Sequence, residues 1–191
     1  MRTTSLLPID ELNILVSKIR GYADKNGRIR RDIVDVDLLF EDIIDLFLLG
    51  VIGGIDTANE DTKADVRLTA DSVNEIVYRK VAGKTWVDRI NEYLSGGTVE
   101  EVVKVVETDL HRIYNETQYK AAVESGVPLR KRWSAILDER TRADHFLLDG
   151  ATVGIDEYFY AADGSKALYP GGFGVAEQDC NCRCECVYVT A

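Results

Sequence analysis

Apolar residues recur at helical spacing through the first two thirds of the chain and at strand-like spacing only after them. Leu12, Leu15, Val16 and Ile19 mark one face of a helix that Pro8, Ile9 and Asp10 open and Gly21 ends, and Asn26-Gly27 marks a turn. From Ile33 to Leu49 a second helix sets Leu38, Leu39, Ile43, Leu46 and Phe47 against Asp32, Asp35, Asp37, Glu41, Asp42 and Asp45, an acidic stripe that reads as a solvated face. The most apolar run, Leu46 to Ile55, holds Gly50, Gly53 and Gly54 and is roughly half the length a membrane span requires. It reads as a buried helix end, and no membrane partner is expected. Gly53 to Asp65 is polar and rich in breakers, so a loop or hinge is predicted there. A third helix is predicted over Ala70 to Val81, and a fourth carries Trp86, Ile90 and Tyr93 until Ser95-Gly96-Gly97 ends it. Thr98 with Glu101 forms a capping box for a helix through Val102, Val105, Val106, Leu110 and Ile113 that continues to Glu124.

Beyond Ser125-Gly126-Val127-Pro128 the period changes. Trp133, Ala135 and Leu137 alternate with Arg132, Ser134 and Asp138, so Lys131 to Leu137 reads as a half-buried strand. A helix should follow, capped by Asp138, with Thr141 at its third position, Phe146, Leu147 and Leu148 as its apolar face and Gly150 as its stop. Val153 to Ala162 suits a strand, Asp163-Gly164 is a hairpin signal with Lys166 to Tyr169 as the return, and Pro170 to Gly174 is a loop. Cys180 to Val189 is the last strand. The fold class is therefore α+β: a helical region over 1–127, then a small β-rich C-terminal domain with one helix over 128–191.

Composition narrows the function classes. Of 191 residues 46% are hydrophobic and 29% charged, enough for a core, and the net charge of -10 argues against a protein that coats DNA. The short run Arg130-Lys131-Arg132 could touch a phosphate but reads more simply as a solvated strand entry. Met1 to Ile9 lacks the apolar core and cleavage site of a secretory signal, which places the chain in the cytoplasm at the outset. Gly83-Lys84-Thr85 is no phosphate loop, because position 78, where the earlier glycine belongs, is Tyr78.

Chemistry gathers near the C terminus. Cys180, Cys182, Cys184 and Cys186 alternate, so on a strand their sulfurs share one face. Three readings compete: buried free thiols, a disulfide, and a zinc site in which His145 joins Cys180, Cys182 and Cys184. Asp138, Arg140, Arg142, Asp144, His145 and Asp149 invite a catalytic reading. Helical spacing offers a plainer one, since Asp138 with Arg142, Arg140 with Asp144 and His145 with Asp149 are complementary i, i+4 pairs. With Asn181 and Arg183 they would make a structural polar cluster. His111 reads as a surface or packing residue of its helix.

The order Lys131-Arg132-Trp133, Asp138-Glu139-Arg140-Thr141-Arg142, His145, Asp149-Gly150, Phe159, Gly164, Tyr169-Pro170-Gly171 and Asn181-Cys182-Arg183-Cys184 resembles the C-terminal domain of the phage Mu F-like family. Those are minor head, or head morphogenesis, proteins of tailed phages and prophages. The likeness runs from Lys131 to Val189 and is thinner from Gly83 to Val127, where Arg112, Glu116 and Ala121-Ala122 carry it. Within it only Cys182 and Cys184 match, and Cys180 and Cys186 are additions. The resemblance implies a non-enzymatic protein of the virion head that joins the procapsid in the host cytoplasm, meets the portal protein and other capsid or scaffolding proteins, and acts near phage DNA in packaging or ejection. The alternative is a metal- or Cys-dependent hydrolase using His145 with Cys182 or Cys184.

Overall fold

A computed structural model of the chain describes residues 6–190. Helix α1 (Ile9–Arg20) buries Leu15, Val16 and Ile19 and stops at Gly21, with acids in its first turn and bases in its last, as the helix dipole favours. After the Asn26-Gly27 turn and a 3-10 turn at Arg31–Ile33, α2 (Val36–Thr62) is capped by the Asp35 side chain on the Leu38 N–H. It runs 27 residues, so the loop expected over Gly53 to Asp65 starts only at Lys63. The reason lies in its neighbour, α5 (Val99–Glu124). A Cβ on Gly50 would sit 2.8 Å from Leu110 Cδ1, and one on Gly54 would sit 2.7 Å from the Tyr114 carbonyl oxygen. These glycines let two long helices touch backbone to backbone, and tertiary packing outweighs their poor helix propensity.

The shorter helices brace that pair. Thr69 caps α3 (Ala70–Val77), which ends four residues before its predicted limit because Val81 and Lys84 exchange backbone hydrogen bonds around Ala82 and Gly83. Thr85 and Asp88 form a capping box for α4 (Trp86–Leu94), and Thr98 and Glu101 form the predicted one for α5. Trp86 is enclosed by Phe40 and Phe47 edge-on and by Tyr78 stacked on its face. No helix among the described residues is long and apolar enough to cross a membrane.

The C-terminal part is a three-stranded antiparallel sheet in which β1 (Leu129–Ser134) lies between β2 (Thr152–Gly154) and β5 (Glu185–Thr190). A separate hairpin pairs β3 (Phe159–Tyr160) with β4 (Lys166–Ala167) around the Asp163-Gly164 turn. Helices α6 (Ala143–Leu148) and α7 (Ala176–Asp179) are short, and α7 was not expected. Two large hydrophobic clusters result, one among the helices and one around Trp133, with a small third one of Ala58, Val66 and Ala121, and α5 contributes to all three. Three predicted boundaries move. The strand predicted at Lys131 starts at Leu129 and stops at Ser134, the one predicted over Val153 to Ala162 is broken by a turn from Gly154 to Glu157, and the last begins at Glu185, not Cys180.

The register of β1 points Leu129, Lys131 and Trp133 inward. Lys131 is thus no solvated entry. Its ammonium donates to the Ile155 carbonyl at 2.8 Å and lies over the rings of Tyr119 and Phe159. Burial pushes it down to about 8, although two ring faces favour the charged form. An unfolded lysine keeps its proton to about 10.4. Between these values the unfolded chain binds more protons at this position, so the Lys131 contribution to native stability should rise with pH from about 8 to about 10.5. Urea unfolding of the wild type against Lys131→Met should show this rise as a difference between the two that grows by roughly 3 kcal/mol across that window. Parallel pH curves would mean that Lys131 does not titrate there.

Candidate metal centre

The irregular stretch leading into β5 buries Cys182 and Cys184, and α6 buries His145 beside them. His145 is clamped by rings: Trp133 meets it edge-on at 5.5 Å and Phe173 stacks on it at 6.0 Å. Asp149 fixes the end of α6 against the strand side by accepting the Ala135 N–H at 2.9 Å. His145 Nδ1 lies 3.6 Å from Cys182 Sγ and 3.4 Å from Cys184 Sγ. The ligand atoms of all three residues fall within 4.8 Å of one another.

The tautomer follows from the next layer. Gln178 on α7 donates its amide N–H groups to Asp144 at 2.8 Å and Asp163 at 3.0 Å, which turns its carbonyl oxygen to His145 Nε2 at 3.1 Å. That oxygen can only accept, so Nε2 carries the proton and the lone pair of Nδ1 faces the two sulfurs. From behind, three α5 side chains hold the cysteine stretch by its backbone. His111 Nε2 donates to the Cys184 carbonyl at 2.8 Å, Asn115 reaches the same oxygen at 3.3 Å, and Gln118 donates to the Cys186 carbonyl at 2.9 Å. Burial pushes the His111 imidazole down to about 4, leaving it neutral near pH 7. His111 is thus a packing residue that also secures the site.

Cys182 and Cys184 share a hydrogen bond. It holds Cys184 below the usual thiol range and, with burial, raises Cys182 above it. All four cysteines are free in the structure. Cys180 lies outside the group: it follows α7, and Asn181 takes a positive φ of 55° that turns the chain between Cys180 and Cys182. Cys186 faces the β1 side, where burial raises it to about 12.

The expected polar cluster is dispersed differently. Residues 138 to 142 are not helical, because α6 starts only at Ala143, so the i, i+4 pairs of that stretch do not form. Asp138 instead takes a two-pronged ion pair from Arg183 at 2.6 and 2.7 Å, which holds its carboxyl well below the usual range. Arg140 gives its backbone N–H to Asp138, Arg142 donates to the Cys180 carbonyl, Asp149 serves Ala135 rather than His145, and Asn181 is exposed. Arg140, Arg142 and Arg183 rim a depression of about 10 Å³ that reaches His145, Cys182 and Cys184, room for about one water. Sequence reasoning missed Gln178, Asp163, Asn115 and Gln118; nothing in their spacing announces them, since each acts across elements.

A second buried constellation lies on α5. Arg112 donates to Asp109 at 3.2 Å, to Glu116 at 2.8 Å and to the Ile76 carbonyl at 3.0 Å, while Arg89 and Arg79 bind the outer sides of the same two carboxylates. Burial and the nearby Glu116 charge raise the Tyr169 phenol, which joins the Tyr169-Pro170-Gly171 loop to this network.

The side chains of both constellations lie within residues 77–187. NAD(+)--arginine ADP-ribosyltransferase EFV of Enterococcus faecalis (strain ATCC 700802 / V583) is 33% identical over 128 residues, 64% of this chain and 26% of that protein. Minor head protein GP7 of Bacillus phage SPP1 is 40% identical over 84 residues, 43% of this chain and 27% of that protein. The chain spans about a quarter of the length of these curated relatives. No solved structure matches it. Residues 77–187, more than half of the chain and every member of the His-Cys group, match the family described as Phage Mu protein F like protein, and the chain belongs to that family.

Proposed function

We propose that the chain acts as a minor head protein of a tailed phage or prophage, joining the procapsid in the host cytoplasm through the portal and remaining in the virion head. The 40% identity to minor head protein GP7 carries this reading. The exposed surface supports a protein partner. Leu147 is 76% and Phe146 57% exposed on α6, and Ile136 and Leu137 are half exposed just before it, apolar side chains that gain by being covered. The charge of -10 favours a protein partner over a broad contact with DNA, so any part in packaging or ejection would pass through the portal.

No enzymatic activity is assigned. A hydrolase built on His145 with Cys182 or Cys184 would need space for a substrate beside the thiols, and the small depression there, about 10 Å³, supports the reading without one. The segment shared with the ADP-ribosyltransferase is about a quarter of that protein, so the transferase activity of the whole protein is not carried over to this chain.

Coexpression with the portal protein of the same phage or prophage should yield a complex on size exclusion. Phe146→Glu with Leu147→Glu should abolish it while leaving the thermal midpoint within about 2 °C, because exposed substitutions usually alter stability by less than about 0.5 kcal/mol. A complex that survives the double substitution moves the docking face elsewhere, and failure of the wild type to bind portal or procapsid removes the head-protein reading.

A further inference from the structure

We propose that His145, Cys182 and Cys184 bind one zinc ion, with a water in the fourth position, and that this ion ties α6 to the stretch entering β5. A tetrahedral zinc with bonds of about 2.0–2.1 Å to nitrogen and 2.3 Å to sulfur sets ligand nitrogen and sulfur roughly 3.6 Å apart. His145 Nδ1 stands 3.6 and 3.4 Å from the two sulfurs, so these edges of the tetrahedron are already in place. Two thiolates and a neutral imidazole form a soft set that suits zinc and neutralises its charge, with thiol protons released on binding.

The surrounding residues behave as the outer layer of a metal site. Asp144 and Asp163 orient Gln178, the Gln178 carbonyl oxygen accepts the Nε2–H hydrogen bond, and the Nδ1 lone pair is thereby presented to the ion. Packing alone would not require this chain of three orienting groups behind a ring that already lies between Trp133 and Phe173. The depression rimmed by Arg140 and Arg142 supplies an entry path and room for one water, while Cys180 stands apart and Cys186 faces the β1 side.

The test uses the full chain purified without chelator. Elemental analysis should give one zinc per chain, and cobalt in its place should give sulfur-to-metal charge-transfer bands with the intense visible absorption of a tetrahedral site. Cys180→Ser and Cys186→Ser should keep the full metal content, whereas Cys184→Ser and His145→Ala should lose it. Gln178→Ala touches no ligand atom bound to the metal and should still bind, with affinity lowered about 10–100-fold in chelator competition. That variant keeps the test decisive if a ligand variant fails to fold. A folded chain that takes up no zinc from equimolar solution overturns the proposal. So does a Cys182–Cys184 disulfide, a loss of metal in Cys180→Ser, or an unchanged affinity in Gln178→Ala.

Discussion

Arg112→Ala should lower the unfolding free energy by about 3–5 kcal/mol, the range for removing one partner of a buried ion pair. The side chain is 3% exposed and its donors are spent on Asp109, Glu116 and the Ile76 carbonyl. Without it two buried carboxylates each keep one cation, Arg89 for Asp109 and Arg79 for Glu116, and Arg79 is nearly half exposed. The Ile76 carbonyl is left with one fewer donor where α3 meets α5. Arg112→Lys should recover less than half of the loss, because an ammonium cannot span two carboxylates and a carbonyl as the planar guanidinium does. Arg112→Met with Glu116→Gln should cost less than the sum of the two single changes, since their charges are coupled. Urea unfolding of the wild type, these variants and the two single changes gives these differences, and a loss below about 1 kcal/mol for Arg112→Ala would show that the network is solvated and not a stabilising element.

This network also explains why the sequence reveals some parts of the fold and conceals others. Local signals were legible: the apolar face and Gly21 stop of α1, the Thr98 and Glu101 capping box of α5, the Asp163-Gly164 turn. Each is decided by residues within one or two turns of each other. Arg112 and Glu116 could be singled out by resemblance, but their partners Arg79 and Arg89 lie on segments that only the tertiary fold brings near. The same distinction holds at the His-Cys group. Alternation of the four cysteines put them all on one face of a strand, whereas Cys182 and Cys184 meet His145 in the irregular stretch before β5 and Cys180 stands apart, because a positive φ at Asn181 has no signature in a periodic pattern. Asp138 looked like a helix cap by its place in the sequence, and Arg183, 45 residues away, takes its carboxylate instead.

Gly54→Leu should cost about 3 kcal/mol, the upper part of the range for overpacking, although it replaces the second-worst helix former by one of the best. By propensity alone the substitution would stabilise α2 by up to about 1 kcal/mol. Space decides the sign. The new Cβ would lie 2.7 Å from the Tyr114 carbonyl oxygen and 2.9 Å from Thr117 Cβ, and the first of these is backbone in the middle of α5, which cannot swing aside. The helices must separate, and what they hold in common separates with them. Thr57 and Tyr114 share a buried hydrogen bond of 2.9 Å one turn further on, and Asp61 accepts the Tyr188 N–H at 3.1 Å, joining the end of α2 to β5. Gly54→Ala should show a smaller loss of about 1 kcal/mol, its helix gain partly offsetting the clash. Ile52→Ala, at an exposed position on the same helix, should change stability by less than about 0.5 kcal/mol. Urea unfolding of the three variants should rank them Leu, Ala, then the Ile52 control in order of loss. A Gly54→Leu chain as stable as the wild type would mean that α2 and α5 do not meet at Gly54, and the continuous α2 would lose its physical reason.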